Sequence, residues 1–217
     1  MVDYYKRFFD VFEDVVCDSV ESDMAFTLTA GLDTRLIGGI LSKNGFRLPC
    51  FSSVGTFFDD FVVNSVADKI GSDVIFFDNK DLMYDSIGCS GFNSVLTGIF
   101  FDEINGGFSG IFAKNEDRFS DAVCFGVNSR LKYLANYYRK RSVPRLVCPV
   151  VDEKVLDCLF SIPFQYRAAK KIQRVLLKRY FPDLYKIPYG NTCLDLRVPF
   201  IVHKAVFYVR EKLEVLL

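Results

Sequence analysis

The sequence predicts an α/β protein in which a parallel sheet of about five strands is flanked by helices, with a helical C-terminal half. Short apolar segments alternate with segments of helical period through residues 1–108, and that order is typical of a parallel sheet. After about Glu103 the period is mainly helical. The chain has 217 residues, half of them hydrophobic, which suits one domain with a sizeable core. We therefore predict a single domain over 1–217, sheet-rich at 1–108 and mainly helical at 109–217.

The first half is predicted to alternate helices with strands. Apolar residues three and four apart define each helix, and apolar runs bounded by turn-forming residues define each strand. Asn44-Gly45 ends the second helix as a left-handed cap would. The Val-Ile-Phe-Phe centre of the third strand is apolar on both faces, as in a buried parallel strand. The predicted order is helix 4–20, strand 24–29, helix 34–43, strand 47–52, helix 58–70, strand 73–78, helix 81–87 and strand 93–98.

The second half is predicted to be helical apart from irregular passages at 143–151 and 187–199. Helices are expected at 152–160, at 167–180 and from about Pro199, because proline is favoured in a first helical turn, to the C-terminus. The helices at 58–70 and 152–160 each have one apolar face, which should be buried. Those faces consist of Phe61, Val62, Val66 and Ile70, and of Val155, Leu156, Leu159 and Phe160.

Composition excludes several classes of protein. No apolar run approaches the roughly 20 residues that a membrane span needs, and the first residues are aromatic and charged where a secretory signal is apolar. The seven cysteines are never spaced Cys-x-x-Cys, which predicts reduced thiols in a cytoplasmic protein. His203 is the single histidine, so a histidine-rich metal site is excluded.

The net charge of zero conceals an asymmetry between the two halves. Residues 1–108 contain 7 basic and 17 acidic residues, whereas residues 109–217 contain 20 basic and 10 acidic residues. Such a division suits a metal-and-anion site assembled from both halves, or a basic surface for nucleic acid. Ordinary solvated faces that happen to segregate are the other interpretation, and composition alone leaves all three open.

The turn after the first strand is a candidate anion site. It reads Leu28-Thr29-Ala30-Gly31-Leu32-Asp33-Thr34, and it joins a strand to a helix N-terminus, where free backbone N–H groups attract anions. Neither the common NTPase loop nor a dinucleotide fingerprint is present. Because the Asp33 carboxylate would repel phosphate, we expect Mg²⁺ to bridge the two. An ordinary turn is the alternative interpretation.

A second carboxylate, Asp102, follows the fourth strand. Ligands of doubly wound sheets bind beyond the carboxyl ends of the strands, so Asp33 and Asp102 are predicted to share one Mg²⁺. The alternative is that Asp102 and Glu103 only cap a helix N-terminus.

Four segments, in the same order, resemble the synthase domain of the asparagine synthetases, which are N-type ATP pyrophosphatases. The turn at 28–34 resembles their Leu-Ser-Gly-Gly-Leu-Asp-Ser pyrophosphate loop, and 96–108 resembles their Gly-Gly-Asp-Glu-Leu-Phe-Gly-Gly-Tyr passage. Residues 147–153 are similar to the Pro-Phe-Leu-Asp segment. Residues 161–167 are similar to the Leu-Pro-x-x-Tyr-Lys continuation, which a Lys-x-x-x-Arg helix follows.

The resemblance implies an adenine nucleotide alpha hydrolase-like fold and an AMP-forming amide ligase that uses ATP and Mg²⁺. The acceptor would be a small carboxylate, aspartate by default, and the nitrogen donor ammonia or an amine. Asp33 and Asp102 would hold the metal, and Lys170, with Arg174, would act in catalysis. The residues implied to contact ATP are Leu28, Thr29, Ala30, Gly31, Asp33, Thr34, Ser52 and Gly98.

Three departures from the family pattern affect this expectation. Ala30 replaces a glycine and would cost about 1–2 kcal/mol if the backbone there were left-handed. Phe100-Phe101 replaces Gly-Gly beside the expected pyrophosphate. Both changes favour an alternative in which the protein binds nucleotide or a partner without catalysis. Val2 stands where the nucleophilic cysteine of the family's glutaminase domain would follow Met1, so nitrogen is expected from free ammonia, an amine or a separate glutaminase subunit.

Two basic clusters lie in the second half. The first contains Lys170, Arg174 and Lys178, which follow one another at intervals of four residues. A helix would place them on one face, where they could lie opposite an anion, and Lys171 is the neighbouring candidate for the catalytic lysine. The alternative interpretation is a solvated basic face. The second cluster mixes basic and aromatic residues, which favours RNA and leaves an RNA-modifying pyrophosphatase as the runner-up. We do not expect nucleic acid, because the net charge is zero, and the oligomeric state is not indicated. The second cluster consists of Arg130, Lys132, Arg139, Lys140, Arg141 and Arg145, with Tyr133, Tyr137 and Tyr138.

Overall fold

A computed structural model describes residues 3–55, 57–105, 115–138, 144–168, 170–190, 194–198, 202, 205 and 206. Its centre is a five-stranded sheet of order β3-β2-β1-β4-β5 in which every pairing is parallel. The predicted α/β class is therefore confirmed. The strands are β1 Met24–Thr27, β2 Cys50–Ser53, β3 Val74–Phe77, β4 Ser94–Leu96 and β5 Arg145–Val147.

Helices connect the strands and make up most of the second half. A short 3₁₀ helix at Pro149–Val151 follows β5. The α-helices of the described residues are α1 Tyr4–Asp18, α2 Leu32–Lys43, α3 Phe57–Ile70, α4 Lys80–Cys89, α5 Phe101–Ile104, α6 Glu116–Tyr138, α7 Glu153–Phe160, α8 Phe164–Arg167, α9 Lys171–Tyr180 and α10 Pro182–Lys186. In the part of the chain that is described, no helix combines the length and apolar character needed to span a bilayer.

The two faces of the sheet carry cores of different size, because successive residues of a strand point to opposite faces. Met24 and Phe26 of β1 join the large core with α1, α2, α3, α7 and α9. Ala25 faces the other side, in a smaller core with residues of α4 such as Met83. The predicted cap of α2 is confirmed, since Gly45 has a φ of +78° and Phe46 N donates to the Leu41 carbonyl.

The third strand differs from its prediction. It lies at the edge of the sheet rather than inside it, and Ile75 is 52% exposed. The apolar sequence of β3 was compatible with a central strand, but the order of strands is decided by how the connecting helices pack. Two residues predicted to be buried are likewise exposed, Phe61 on α3 and Phe160 on α7.

Two boundaries in the second half also differ. The passage predicted to be irregular at 143–151 contains β5, whose three residues are too few to show a period. The helix predicted over 167–180 is interrupted, because α8 ends at Arg167 and α9 begins at Lys171. The helix predicted from Pro199 lies mainly outside the described residues; Val202, Ala205 and Val206 are helical.

Candidate functional site

The candidate site is a cleft of about 230 Å³ at the carboxyl ends of β1, β2 and β4. From β1 the chain proceeds to β2 and β3 on one side, and later to β4 and β5 on the other. The strand order therefore reverses between β1 and β4, the position at which doubly wound sheets bind ligands. Seven of the predicted site residues line the cleft, namely Leu28, Thr29, Asp33, Thr34, Ser52, Gly98 and Asp102.

The turn after β1 is closed by two hydroxyl groups. The hydroxyls of Thr29 and Thr34 are 3.0 Å apart, and Thr34 Oγ1 also donates to the Thr29 carbonyl at 3.2 Å. Gly31 has extended backbone before α2 and no side-chain cap. The N-terminus of α2 consequently retains uncapped N–H groups beside the cleft, and such groups bind anions.

The substitution of alanine in this turn causes no backbone strain. Within the described residues, the only non-glycine residues with positive φ are Phe100 and Lys170, so Ala30 is not left-handed. The expected cost at this position therefore does not arise. Ala30 and Gly31 lie in the turn, but they are not among the residues that line the cleft.

Lys170 joins the two predicted metal carboxylates. Its Nζ lies 3.2 Å from Asp33 Oδ2 and 3.1 Å from Asp102 Oδ1, although these residues come from three separate segments. Gln173 Nε2 donates to the other oxygen of Asp33 at 2.8 Å. Because two carboxylates share one ammonium group, the three side chains together carry one net negative charge.

Burial and charge shift the pKa values of this cluster. Burial raises the pKa of Asp33; the Lys170 ammonium opposes the shift and the Asp102 carboxylate adds to it. Burial alone would lower the pKa of Lys170, but Asp102 and Asp33 outweigh that effect and hold it well above its usual value. Lys170 is therefore an ammonium group at neutral pH.

These directions predict a pH-dependent defect in Lys170→Met. In the wild type, the pKa of Lys170 is raised in the folded chain. The ammonium group therefore contributes fully to the free energy of unfolding at every pH below the usual lysine pKa. Without the ammonium group, Asp33 binds a proton more readily in the folded than in the unfolded chain, so acid restores stability. We expect a loss of about 3–5 kcal/mol at pH 7 and a smaller loss at about pH 5, measured by urea unfolding against wild type at each pH. An equal loss at both values would contradict this assignment.

The backbone at Lys170 explains how its side chain reaches the carboxylates. Lys170 has a φ of +55° and directly precedes α9, a conformation that costs about 1–2 kcal/mol for a residue with a Cβ. Strain of this kind is found at functional sites. Because Lys170 is outside the helix, the predicted face with Arg174 and Lys178 does not form.

The other basic residues of that face lie elsewhere. Neither Lys170 nor Arg174 is among the residues that line the cleft. Lys170 pairs with two carboxylates that do line it, whereas the Arg174 guanidinium donates to the carbonyls of Leu196 and Val198. Lys171 is exposed and donates to the Gln165 carbonyl, and Lys178 is exposed. Only Lys170 of the predicted basic face therefore contacts the acidic residues of the cleft.

The two phenylalanines before Asp102 do not fill the cleft. Phe101 is buried, and its ring centroid lies 5.3 Å from that of Phe12 in the large core. Phe100 is also buried and has a φ of +75°. Their bulk is directed into the core, and neither side chain is among the residues that line the cleft.

Gly98 allows the two strand-end turns to approach each other. A Cβ at this position would lie 2.9 Å from Asp33 Cβ and 3.1 Å from the backbone N of Thr34. We expect Gly98→Ala to displace the turn and to lower the free energy of unfolding by about 1–3 kcal/mol, measured by urea unfolding. Gly126→Ala is the control, because a Cβ there would make only ordinary contacts of 3.4 Å or more. Equal stability of both variants would show that the turns are not in contact.

Sequence reasoning missed several residues of the site. Gln173 follows Lys170 by three residues, and its oxygen has no partner among the described residues. Tyr189 is partly buried, and burial raises its pKa. Lys80 and Tyr84 line the cleft from α4. No motif singles out these positions, and only a correct start for α9 would have drawn attention to Gln173.

The basic and aromatic cluster of the second half is divided by the fold. Arg130 and Tyr133 line the cleft, and Arg130 Nη2 pairs with Glu103 at 2.6 Å. Arg145 pairs with Glu21. Arg139, Lys140 and Arg141 lie outside the described residues. Two arginines of this cluster are thus paired with glutamates.

The described residues contain no group of three or more His, Cys, Asp or Glu side chains that would hold a metal unaided. Asp33 and Asp102 are a pair of hard oxygen ligands, and Mg²⁺ is commonly held by one or two carboxylates together with substrate phosphates. The pair, with its net negative charge, therefore fits Mg²⁺ bound jointly with a nucleotide. Comparison of the sequence with protein-family models and with curated proteins found no match.

Proposed function

We propose that this chain is an ATP-dependent, AMP-forming amide ligase. The observation that carries the proposal is the Asp33–Lys170–Asp102 cluster beside an uncapped helix N-terminus at the switch point of a parallel sheet. A site for a polyphosphate needs anion-binding N–H groups, a positive charge and a bridging cation. The start of α2 supplies the N–H groups, Lys170 supplies the positive charge, and Asp33 and Asp102 supply ligands for the cation.

The proposed roles follow from the positions of the groups. The N–H groups at the start of α2 and the Thr29 and Thr34 hydroxyls face the phosphates. Asp33 and Asp102 would hold Mg²⁺, which supplies neutralisation of phosphate charge when bound. Lys170 is an ammonium group in a buried position, so it stabilises negative charge that develops on pyrophosphate as it departs.

The proposed reaction has two steps. An oxygen of the substrate carboxylate attacks the α-phosphorus, and the bond to pyrophosphate breaks, which forms an acyl-adenylate. Ammonia or an amine then attacks the acyl carbon, AMP leaves and the nitrogen loses a proton. Aspartate is the default acceptor, and the nitrogen comes from free ammonia, an amine or a separate glutaminase subunit.

The geometry of Ala30 and Phe101 supports the catalytic proposal over the alternative without catalysis. That alternative was based on Ala30 and on Phe100-Phe101, yet Ala30 has ordinary backbone and Phe101 packs in the core. We also propose a cytoplasmic location. This is supported by the six cysteines of the described residues, all of which are free thiols.

ATP–pyrophosphate exchange tests the proposal. The purified chain is incubated with Mg²⁺, ATP, labelled pyrophosphate and one acid at a time from a panel that includes aspartate. Exchange that depends on one acid would support the ligase and identify its substrate. ATP binding with no exchange for any acid would favour the non-catalytic alternative, and exchange only with tRNA would favour the RNA-modifying one. Glutamate release from glutamine would contradict the predicted need for an external nitrogen source.

A further inference from the structure

Arg35 is a buried cation for which the proposed reaction has no use. It lies one residue after Thr34 on α2 and is 0% exposed. No carboxylate pairs with it among the residues that are described; its partners are backbone carbonyls. Nη1 donates to Ile187 at 2.7 Å and Leu184 at 3.3 Å, and Nη2 to Pro188 at 2.9 Å and Ala30 at 3.4 Å.

These carbonyls belong to two segments. Three of them lie at 184–188, at the end of α10 and just after it. The Leu184 carbonyl also accepts from Ile187 N at 3.3 Å, whereas the carbonyls of Ile187 and Pro188 lie beyond the helix. The fourth belongs to Ala30 in the phosphate-binding turn. Burial lowers the pKa of Arg35 to about 10, so it is charged at neutral pH. A single guanidinium thus joins the turn to the segment after α10.

A second contact joins the same segments. Gly190 lies so close to the turn that a Cβ there would overlap the Cβ of Ala30 and lie 3.1 Å from the Ala30 carbonyl oxygen. The segment 187–190 therefore packs directly against the outer side of the turn. Without such packing, a turn with two small residues and no side-chain cap would have several conformations available to it.

We propose that Arg35 is a positioning residue that clamps the segment 184–190 against Ala30 and thereby holds the turn in the shape that binds phosphate. The inference rests on the proposed function for the identity of the ligand, a nucleoside triphosphate. The contacts that form the clamp all lie within this chain and do not depend on which ligand binds. Arg35 does not line the cleft, so its effect on phosphate binding passes through Ala30.

The first experiment measures hydrogen exchange of the turn without any ligand. Arg35→Lys keeps the charge but cannot make four hydrogen bonds, and Arg35→Met removes the charge. Amides at 29–34 and at 187, 189 and 190 should exchange about tenfold faster in the variants, while β1 and β2 keep wild-type rates. Ile40→Ala is the matched control, because Ile40 is a buried core residue of the same helix. It should lower stability without selective exchange at the turn. Wild-type exchange at the turn in both Arg35 variants would overturn the clamp.

The second experiment compares Mg·ATP with adenosine, which lacks the phosphates. The Arg35 variants should bind Mg·ATP about tenfold more weakly and adenosine within about twofold of wild type, whereas Ile40→Ala should keep the wild-type ratio. Equal losses for both ligands would mean that Arg35 is only a structural residue. If wild type binds adenosine but gains nothing from the phosphates, the proposed function fails, and the exchange experiment still decides the clamp.

Gly190 provides a test that leaves the guanidinium unchanged. Gly190→Ala should reproduce the selective loss of Mg·ATP affinity by pushing the turn away. The double variant Ala30→Gly with Gly190→Ala removes the overlapping methyl group. The other contact under 3 Å is with Asp59 Oδ1 at 2.7 Å, the end of a side chain that can rotate away, so the double variant should recover most of the affinity. A loss that the second substitution does not relieve would overturn the proposed contact.

Discussion

Lys170→Met is expected to lower the rate of ATP–pyrophosphate exchange about 10²–10³-fold, the usual effect of one electrostatic donor. Nucleotide affinity should change little, because the stabilised charge develops mainly as pyrophosphate leaves. Lys170 is suited to this role because two carboxylates hold its ammonium group at 3.1 and 3.2 Å and keep it charged.

The control for this variant is Lys178→Met, which removes an exposed lysine of α9 and should retain full activity. Lys171→Met should do the same, because that side chain turns to the Gln165 carbonyl. Equal losses at Lys170 and Lys171 would mean that only diffuse positive charge matters. Full activity of Lys170→Met, in protein shown to be folded, would remove this residue from the mechanism.

Asp33→Asn and Asp102→Asn are each expected to abolish the Mg²⁺ dependence of nucleotide binding. An amide is a poorer ligand than a carboxylate for a hard cation, and each variant leaves Lys170 with a single acidic partner, so the cluster has no net negative charge. The measurement is ATP affinity with Mg²⁺ and with a chelator. In each variant the two values should agree within about twofold, whereas the wild type should bind more tightly with Mg²⁺.

Glu103→Gln is the matched control for the aspartate variants. Glu103 lines the same cleft, but its carboxylate pairs with Arg130, so its neutral variant should keep the Mg²⁺ dependence. If all three variants lost the dependence equally, the metal would respond to the overall charge of the cleft. If none lost it, Asp33 and Asp102 would not be metal ligands.

The meeting of Asp33 and Asp102 could be predicted although 68 positions separate them. Alternating strands and helices imply a parallel sheet, and the carboxyl ends of parallel strands lie at one edge. Residues just after β1 and β4 must therefore approach each other if those strands are neighbours. The cleft, its turn and its two carboxylates follow from this rule.

Other features of the site depend on the backbone after a turn, which local sequence does not define. Periodicity predicted a continuous helix from 167, with Lys170 and Arg174 on one face. The structure ends α8 at Arg167 and gives Lys170 positive φ. That single change directs Lys170 to the carboxylates and Arg174 to the carbonyls of Leu196 and Val198. No residue type there requires the change.

The sequence by itself determined the fold class, the positions of the first four strands along the chain and the turn that borders the cleft, because these depend on period and on local turn chemistry. Tertiary structure alone decided that β3 is an edge strand and that Phe101 enters the core. It also decided that Arg35 binds carbonyls at 184–188. These outcomes depend on which surfaces are buried together, and a residue's neighbours in the chain do not specify its neighbours in space.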